Sequence, residues 1–398
     1  MEPINTPNIE KKQKIKYLDG LRGLAALAVV MDHAFDAFFA STNISPFEVR
    51  HSSFEDLFFK TPLHLILNGH FAVIIFFILS GFVLSYKFFN EHDYNSPISG
   101  AVKRYFRLAI PVSASIFIMF ILWKTHLINL QPIYKETLSS WIGMQKDFAP
   151  HFIDMIRTAF YGVFIEGDGR YNTVLWTISL EFIGSMLVFA FLALFGKLSK
   201  RFIVYFVLAV IFFKTPFLAF IFGIILADRF EYLRSSGFSK WMNKGLFIPV
   251  TAIALLIGSV PFTPYFSYAY PSLKFLNIDS YTRIQTIHTF VAALLVVSII
   301  CSKPLISFLS HKIFTYLGRI SFGVYLMHIP VLFTLTMFAF IHLRNHFHYV
   351  PAAVIACAIT LPFVIPVAHL FTKFIDEPAI RFSSYVYKRF FENKNLTK

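Results

Sequence analysis

Cysteine is nearly absent: two in 398 residues, Cys301 and Cys357, each inside an apolar run. That excludes a disulfide framework and a cysteine-rich metal cluster. Charge is scarce too, at 15% Asp, Glu, Lys and Arg, and it gathers between apolar runs instead of alternating with them. With 56% hydrophobic residues and a mean hydropathy of +0.62, a soluble globular chain of this length is excluded. There is no stretch long and polar enough for a separate soluble domain, and no internal repeat. The sequence also lacks a glycine-rich phosphate loop, metal-ligand spacing and a nucleophilic serine or cysteine motif, so no metal is expected.

What is present is a series of apolar runs long enough to cross a bilayer as helices. The expected fold is all-α, a polytopic helical membrane protein with about ten transmembrane helices. The runs fall at roughly 22–41, 66–86, 108–123, 173–195, 202–213, 215–228, 246–262, 284–301, 320–342 and 350–374. The fifth and sixth are short and split by Lys214-Thr215-Pro216, as in a tight hairpin or a re-entrant pair. Pro249, Pro330, Pro362 and Pro366 lie inside runs and should kink them. The net charge of +14 would suggest nucleic acid in a soluble protein; here the positive-inside bias accounts for it. With the N-terminus inside, inner segments carry roughly 25 Lys and Arg and outer ones about 11, which puts both termini in the cytoplasm. The expected division is a basic tail over 1–16, a membrane domain over 17–378 and a C-terminal tail over 379–398. The basic Lys11-Lys12-Gln13-Lys14 segment precedes the first run as in a signal peptide. Without a small-residue cleavage site, and with charges inside, that run reads as a retained span. The longest outer connections, 42–65, 124–171 and 263–283, are where a ligand would be gripped. An interfacial amphipathic stretch is expected around Ile153 to Phe164.

The first run, YLDGLRGLAALAVVMDHAF from Tyr17 to Phe35, carries Arg22 and, eleven residues on, His33. At ~100° and ~1.5 Å per residue, eleven steps return to within ~20° and advance ~16.5 Å. Both side chains thus share a face, one near a membrane surface and one deep. Gly23, Ala25, Ala26 and Ala28 keep that face thin enough for a helix or a ligand to approach. Arg22 as a snorkelling anchor and His33 as a structural hydrogen-bonder are the plainer readings. Intramembrane ionisable groups mark function by default.

Asp19-Gly20-Leu21-Arg22-Gly23-Leu24 with His33 at this spacing resembles the opening motif of the membrane acyltransferase-3 family. Five further stretches, in order, resemble the same family. Gly69-His70-Phe71-Ala72-Val73 leads into Phe76-Phe77-Ile78-Leu79-Ser80-Gly81-Phe82, with Ile74 where an acidic residue is often found. Lys103-Arg104-Tyr105-Phe106-Arg107 carries an arginine pair, and Leu175-Trp176-Thr177-Ile178-Ser179-Leu180-Glu181 a tryptophan-to-glutamate motif. Gly318-Arg319-Ile320-Ser321 runs on to Tyr325 and His328, and Asp376-Glu377-Pro378 echoes a terminal motif.

The resemblance implies an integral membrane O-acyltransferase that moves an acyl group, most simply acetyl, from cytoplasmic acyl-CoA to a hydroxyl. The implied acceptor is a carbohydrate or a lipid-linked glycan, with membrane lipid around it and no nucleic acid. A bacterial inner membrane is the expected location. Arg22, Arg104 and Arg107 would hold the phosphates of acyl-CoA, since guanidinium groups suit phosphate. His33 would act as general base or take the acyl group itself, and both routes stay open. Glu181 is the expected carboxylate of the site, orienting a histidine or binding the acceptor, or else locking two helices. Trp176, Tyr325 and His328 are expected at the acceptor. The competing class is a multi-span transporter of an anionic solute or glycolipid.

Overall fold

The computed structural model describes residues 15–392. Lys11, Lys12 and Lys14 of the expected N-terminal tail, and Lys394 and Lys398 of the C-terminal one, lie outside the described residues. Among the described residues every regular element is helical. In chain order the principal helices are α1 (Lys16–Phe38), α2 (Gly69–Asn90), α3 (Ser96–Lys124) and α4 (Thr173–Phe195). The short α5 (Arg201–Ile211) and α6 (Phe217–Asp228) follow, then α7 (Gly237–Gly258), α8 (Tyr281–Cys301), α9 (Lys312–Arg344) and α10 (Tyr349–Phe391). Seven of these are long and apolar enough to cross a membrane; α1, α5 and α6 are not among them. The two short ones lack length. α1 has the length, 23 residues, but Asp19, Arg22, Asp32 and Asp36 interrupt its apolar run.

Despite those charges α1 is the buried element, packed by α2, α9 and α10. Its small residues make this possible. Gly23 faces the backbone of Gly318 on α9, and a Cβ there would come 2.7 Å from the Gly318 nitrogen. On α9, a Cβ at Gly318 would come 2.0 Å from the Asp19 carbonyl oxygen. Backbones therefore touch where side chains would otherwise stand, which in a bilayer is where dispersion contact is largest. Ala26 and Val30 extend the seam into Ile320, Val324 and Ala368. Gly81 of α2 meets α6 in the same way, against the Phe220 carbonyl.

Several boundaries differ from those expected. α3 begins at Ser96, not near 108, so Arg104 and Arg107 lie within a helix instead of ahead of it. The chain does not stop at Asp376-Glu377-Pro378. A wide turn over Thr372–Asp376 carries α10 into a further helical stretch, Glu377–Tyr387, with Pro378 directly after the wide turn. In α7 the break is at Gly245, whose φ of 116° no helix accommodates, and Pro249 sits harmlessly in the turn that follows. At Pro330 the ring deprives the Leu326 carbonyl of its helical donor. Asn172 supplies one in its place, its Nδ2 donating at 2.9 Å and tying α9 to the start of α4.

The three long connections gather over the His33 end of α1. Glu55, fully buried, accepts from the Ser41 hydroxyl and from the backbone of His51 and Ser52, which closes the first loop on itself. His51 contacts the Thr137 carbonyl at 2.9 Å, and Phe47 packs edge-on to Tyr265 at 5.2 Å, joining the three loops into one cap. The stretch expected to be amphipathic is helical, with Met155, Ala159 and Val163 buried and Ile153, Ile156 and Phe160 exposed.

Candidate active site: two chambers on one helix face

Two cavities lie along the face of α1, one at each end, and share Val73, Thr177 and Tyr325 as a common wall. The cavity at the Arg22 end has a volume of about 350 Å³ and the one at the His33 end about 290 Å³. Eleven helical residues, ~16.5 Å, separate the two defining side chains. The expected shared face is therefore what the structure contains, and it is lined by space on both levels.

The Arg22 chamber is walled by α1, α2, α3, α4, α9 and α10, and collects Arg22, Arg104, Arg107 and Arg319 with four carboxylates, Asp19, Glu181, Asp376 and Glu377. Two of the arginines are committed. Arg104 Nη2 donates to Glu181 Oε1, which also accepts from the Ser80 hydroxyl at 2.6 Å. Arg319 Nη2 donates to Glu377 Oε1 at 2.6 Å. Among the described residues neither Arg22 nor Arg107 has a carboxylate within 4.0 Å. Two guanidinium groups thus face the chamber unpaired, while the pairs beside them hold the wall. Glu181 sits on an arginine and a serine, not on a histidine. Ser80, from the stretch before Gly81 and Phe82, is a part of this cluster.

At the other end, His33 Nδ1 donates to the Val29 carbonyl at 2.8 Å, one turn back on its own helix. A carbonyl can only accept, so Nδ1 carries the proton and Nε2 keeps its lone pair. Asp32 Oδ2 lies 3.5 Å from the same Nδ1. Asn43, reaching over from the loop beyond α1, donates to Asp32 Oδ1 at 2.7 Å and to Asp36 Oδ1 at 2.8 Å. The Gly69 N–H adds a bond to Asp32 Oδ1 at 3.2 Å. A second histidine is set in the same manner. His288 Nε2 contacts the Val260 carbonyl at 3.1 Å and so carries the proton, and His288 Nδ1 then accepts from His70 Nδ1 at 3.0 Å. His70, stacked on Phe262, also keeps Nε2 unprotonated on the chamber wall.

The expected residues thus divide. Arg22, Arg104, Arg107 and Glu181 line one chamber, His33 and Trp176 the other, and Tyr325 both. The Tyr325 hydroxyl donates to the Val174 carbonyl and lies 2.5 Å from Thr177 Oγ1, so the two hydroxyl groups stand at the junction. His328 lines neither cavity. It is fully buried behind His33, ring centroids 5.2 Å apart, its Nδ1 donating to Val324 and its Nε2 without a partner among the described residues. Asp32 and Asp36 were passed over in the sequence, although two acids flanking a histidine in an apolar helix are themselves the signal. Asn43 gave none, since its role depends on a loop folding back.

A helical membrane protein with a chamber at either end of one buried, charge-bearing helix is the class these features define. The chain belongs to the membrane acyltransferase-3 family: residues 15–369 match the family described as "Acyltransferase domain". It is accordingly an integral membrane O-acyltransferase. A curated relative, "O-acetyltransferase PaAT-1" of Phomopsis amygdali, is 25% identical over a 441-residue alignment covering 94% of this chain and 84% of the relative. No solved structure matches the chain significantly.

Proposed function

We propose that the protein transfers an acyl group, most simply acetyl, from acyl-CoA held in the Arg22 chamber to a carbohydrate hydroxyl held in the His33 chamber. The observation that carries this reading is the pair of abutting cavities on one face of α1, with unpaired guanidinium groups in one and an unprotonated imidazole nitrogen in the other. Arg22 and Arg107 take phosphate oxygens of the donor, with Arg104 as a third donor fixed by Glu181. The pantetheine arm runs along α1 past Tyr325 and Thr177, and ~16.5 Å is of the order such an arm spans.

At the far end His33 Nε2 accepts the proton of the acceptor hydroxyl while its oxygen attacks the thioester carbonyl carbon. The C–S bond breaks, and the leaving thiolate takes the proton back from His33. The Val29 carbonyl keeps the imidazole in the tautomer this requires. Attack by Nε2 itself, through an acyl-histidine, uses the same geometry. Trp176 lies against the acceptor, and His328 positions His33 from behind.

The proposed topology counts α1, α5 and α6 with the seven long helices, making ten crossings with both termini cytoplasmic. The asymmetry of roughly 25 inner to about 11 outer basic residues supports it, as does the need for the donor chamber to open where acyl-CoA is made. On this reading the membrane is a plasma membrane, the bacterial inner membrane in the simplest case. Labelled acetyl-CoA supplied to membranes with candidate glycans tests the whole. Native protein labels the glycan, and His33→Gln, correctly inserted, does not. Full activity in that variant moves the base to His70.

A further inference from the structure

The Arg22 chamber holds arginines and carboxylates together, the His33 chamber carboxyl groups without a lysine or arginine, and this bears on which acceptors can enter. The inference rests on the proposed reading of the His33 chamber as the acceptor site. No lysine or arginine lines that chamber; its ionisable side chains are Asp32, Asp36, His33, His70, Tyr281 and Tyr325. Asn43 and Gly69 occupy only the Oδ1 atoms of the two aspartates, which leaves each Oδ2 to accept a hydrogen bond. Four residues apart on α1, the two carboxyl groups lie on one face of the helix and both border the chamber. Aliphatic and aromatic side chains make up most of the remaining wall. Trp176 is half-exposed, and Phe262 lies against Tyr281 with ring centroids 5.0 Å apart.

Hydrogen-bond acceptors on one side and an apolar platform on the other suit a polyhydroxylated ring, whose O–H groups donate and whose C–H face stacks. An acceptor carrying a carboxylate or phosphodiester would enter without a counter-ion and face two carboxyl groups, which costs more than its contacts return. We infer that the acceptor is an uncharged sugar unit, and that Asp32 and Asp36, besides binding it, exclude anionic glycans from the reaction.

The test uses the purified full-length protein, labelled acetyl-CoA, and matched pairs of methyl hexosides and methyl hexuronides in the gluco, galacto and manno series. In each accepted series the neutral member should be acylated at least about tenfold faster than its uronide. Ile44→Lys, which places an ammonium group in the chamber wall, should bring that ratio to within about twofold. Acylation of a uronide as fast as its neutral partner by native protein overturns the inference. So does an Ile44→Lys variant that binds donor normally yet leaves the ratio unchanged. Acylation of no pair member, with donor binding intact, also overturns it. Failure of native protein to bind labelled acetyl-CoA at all overturns instead the reading of the Arg22 chamber on which it stands.

Discussion

At the Arg22 end of α1, charges are met by charges, and the two unpaired guanidinium groups sit among pairs that tie α3 to α4 and α9 to α10. At the His33 end the polar groups are few, and each is oriented by a neutral partner: Val29 for His33, Asn43 for the two aspartates, His288 for His70. The first arrangement suits a strongly charged ligand that needs counter-ions. The second suits a neutral one that needs aimed lone pairs and a dry wall. Ion pairs tolerate a shift of an ångström, whereas a proton transfer does not, and the two ends are built accordingly.

The comparison is broken most directly at His33. His33→Gln keeps much of the polar volume but cannot take a proton, and transfer should fall by about 10²–10⁴-fold. Donor affinity, measured by equilibrium binding of labelled acyl-CoA, should be unchanged, because the proposed phosphate site is a chamber away. Next in size, Glu181→Ala should lower the melting temperature in detergent, corresponding to about 3–5 kcal/mol, since it leaves Arg104 buried and uncompensated. A variant as stable as the native protein would show that the pair is not part of the frame.

Arg107→Ala sharpens the contrast within the same chamber. Removing an unpaired guanidinium should leave the melting temperature nearly unaltered and raise the KM for acyl-CoA about ten- to a hundredfold. The KM for the acceptor should stay as it was; equal changes in both would merge the two chambers into one site. The smallest effect concerns the loop that leads into α4. Partial burial pushes the Asp168 carboxyl up, but bonds from Arg170 and Thr158 outweigh it and hold it below the usual carboxylate value. A depressed carboxylate contributes stability above its unfolded value that is lost as pH falls through the folded one, so this contribution disappears only below about pH 4. Protease sensitivity of the 158–172 segment should rise there in the native protein. In Asp168→Asn it should already be raised at neutral pH.

The sequence by itself determined the helical membrane architecture, because twenty-residue apolar runs have few other solutions. It also determined the shared face of Arg22 and His33, because helical periodicity is local. The close seam of α1 with α9 was half-legible: Gly23 announced a thin face, but not that Gly318 would meet it. What only the tertiary structure decided is pairing across helices. Glu181 and Arg104 are 77 positions apart, and nothing local says that the carboxylate goes to arginine and not to histidine. Asn43 reaches Asp32 and Asp36 only because a cap built from three distant loops folds back over the helix end. The same holds for His328, which shares a motif with Tyr325 yet faces away from both chambers. Periodicity fixes the direction in which a side chain leaves its own helix. What stands opposite is set by how the helices are packed, and in a bilayer that depends on contacts between small residues scattered over the whole chain.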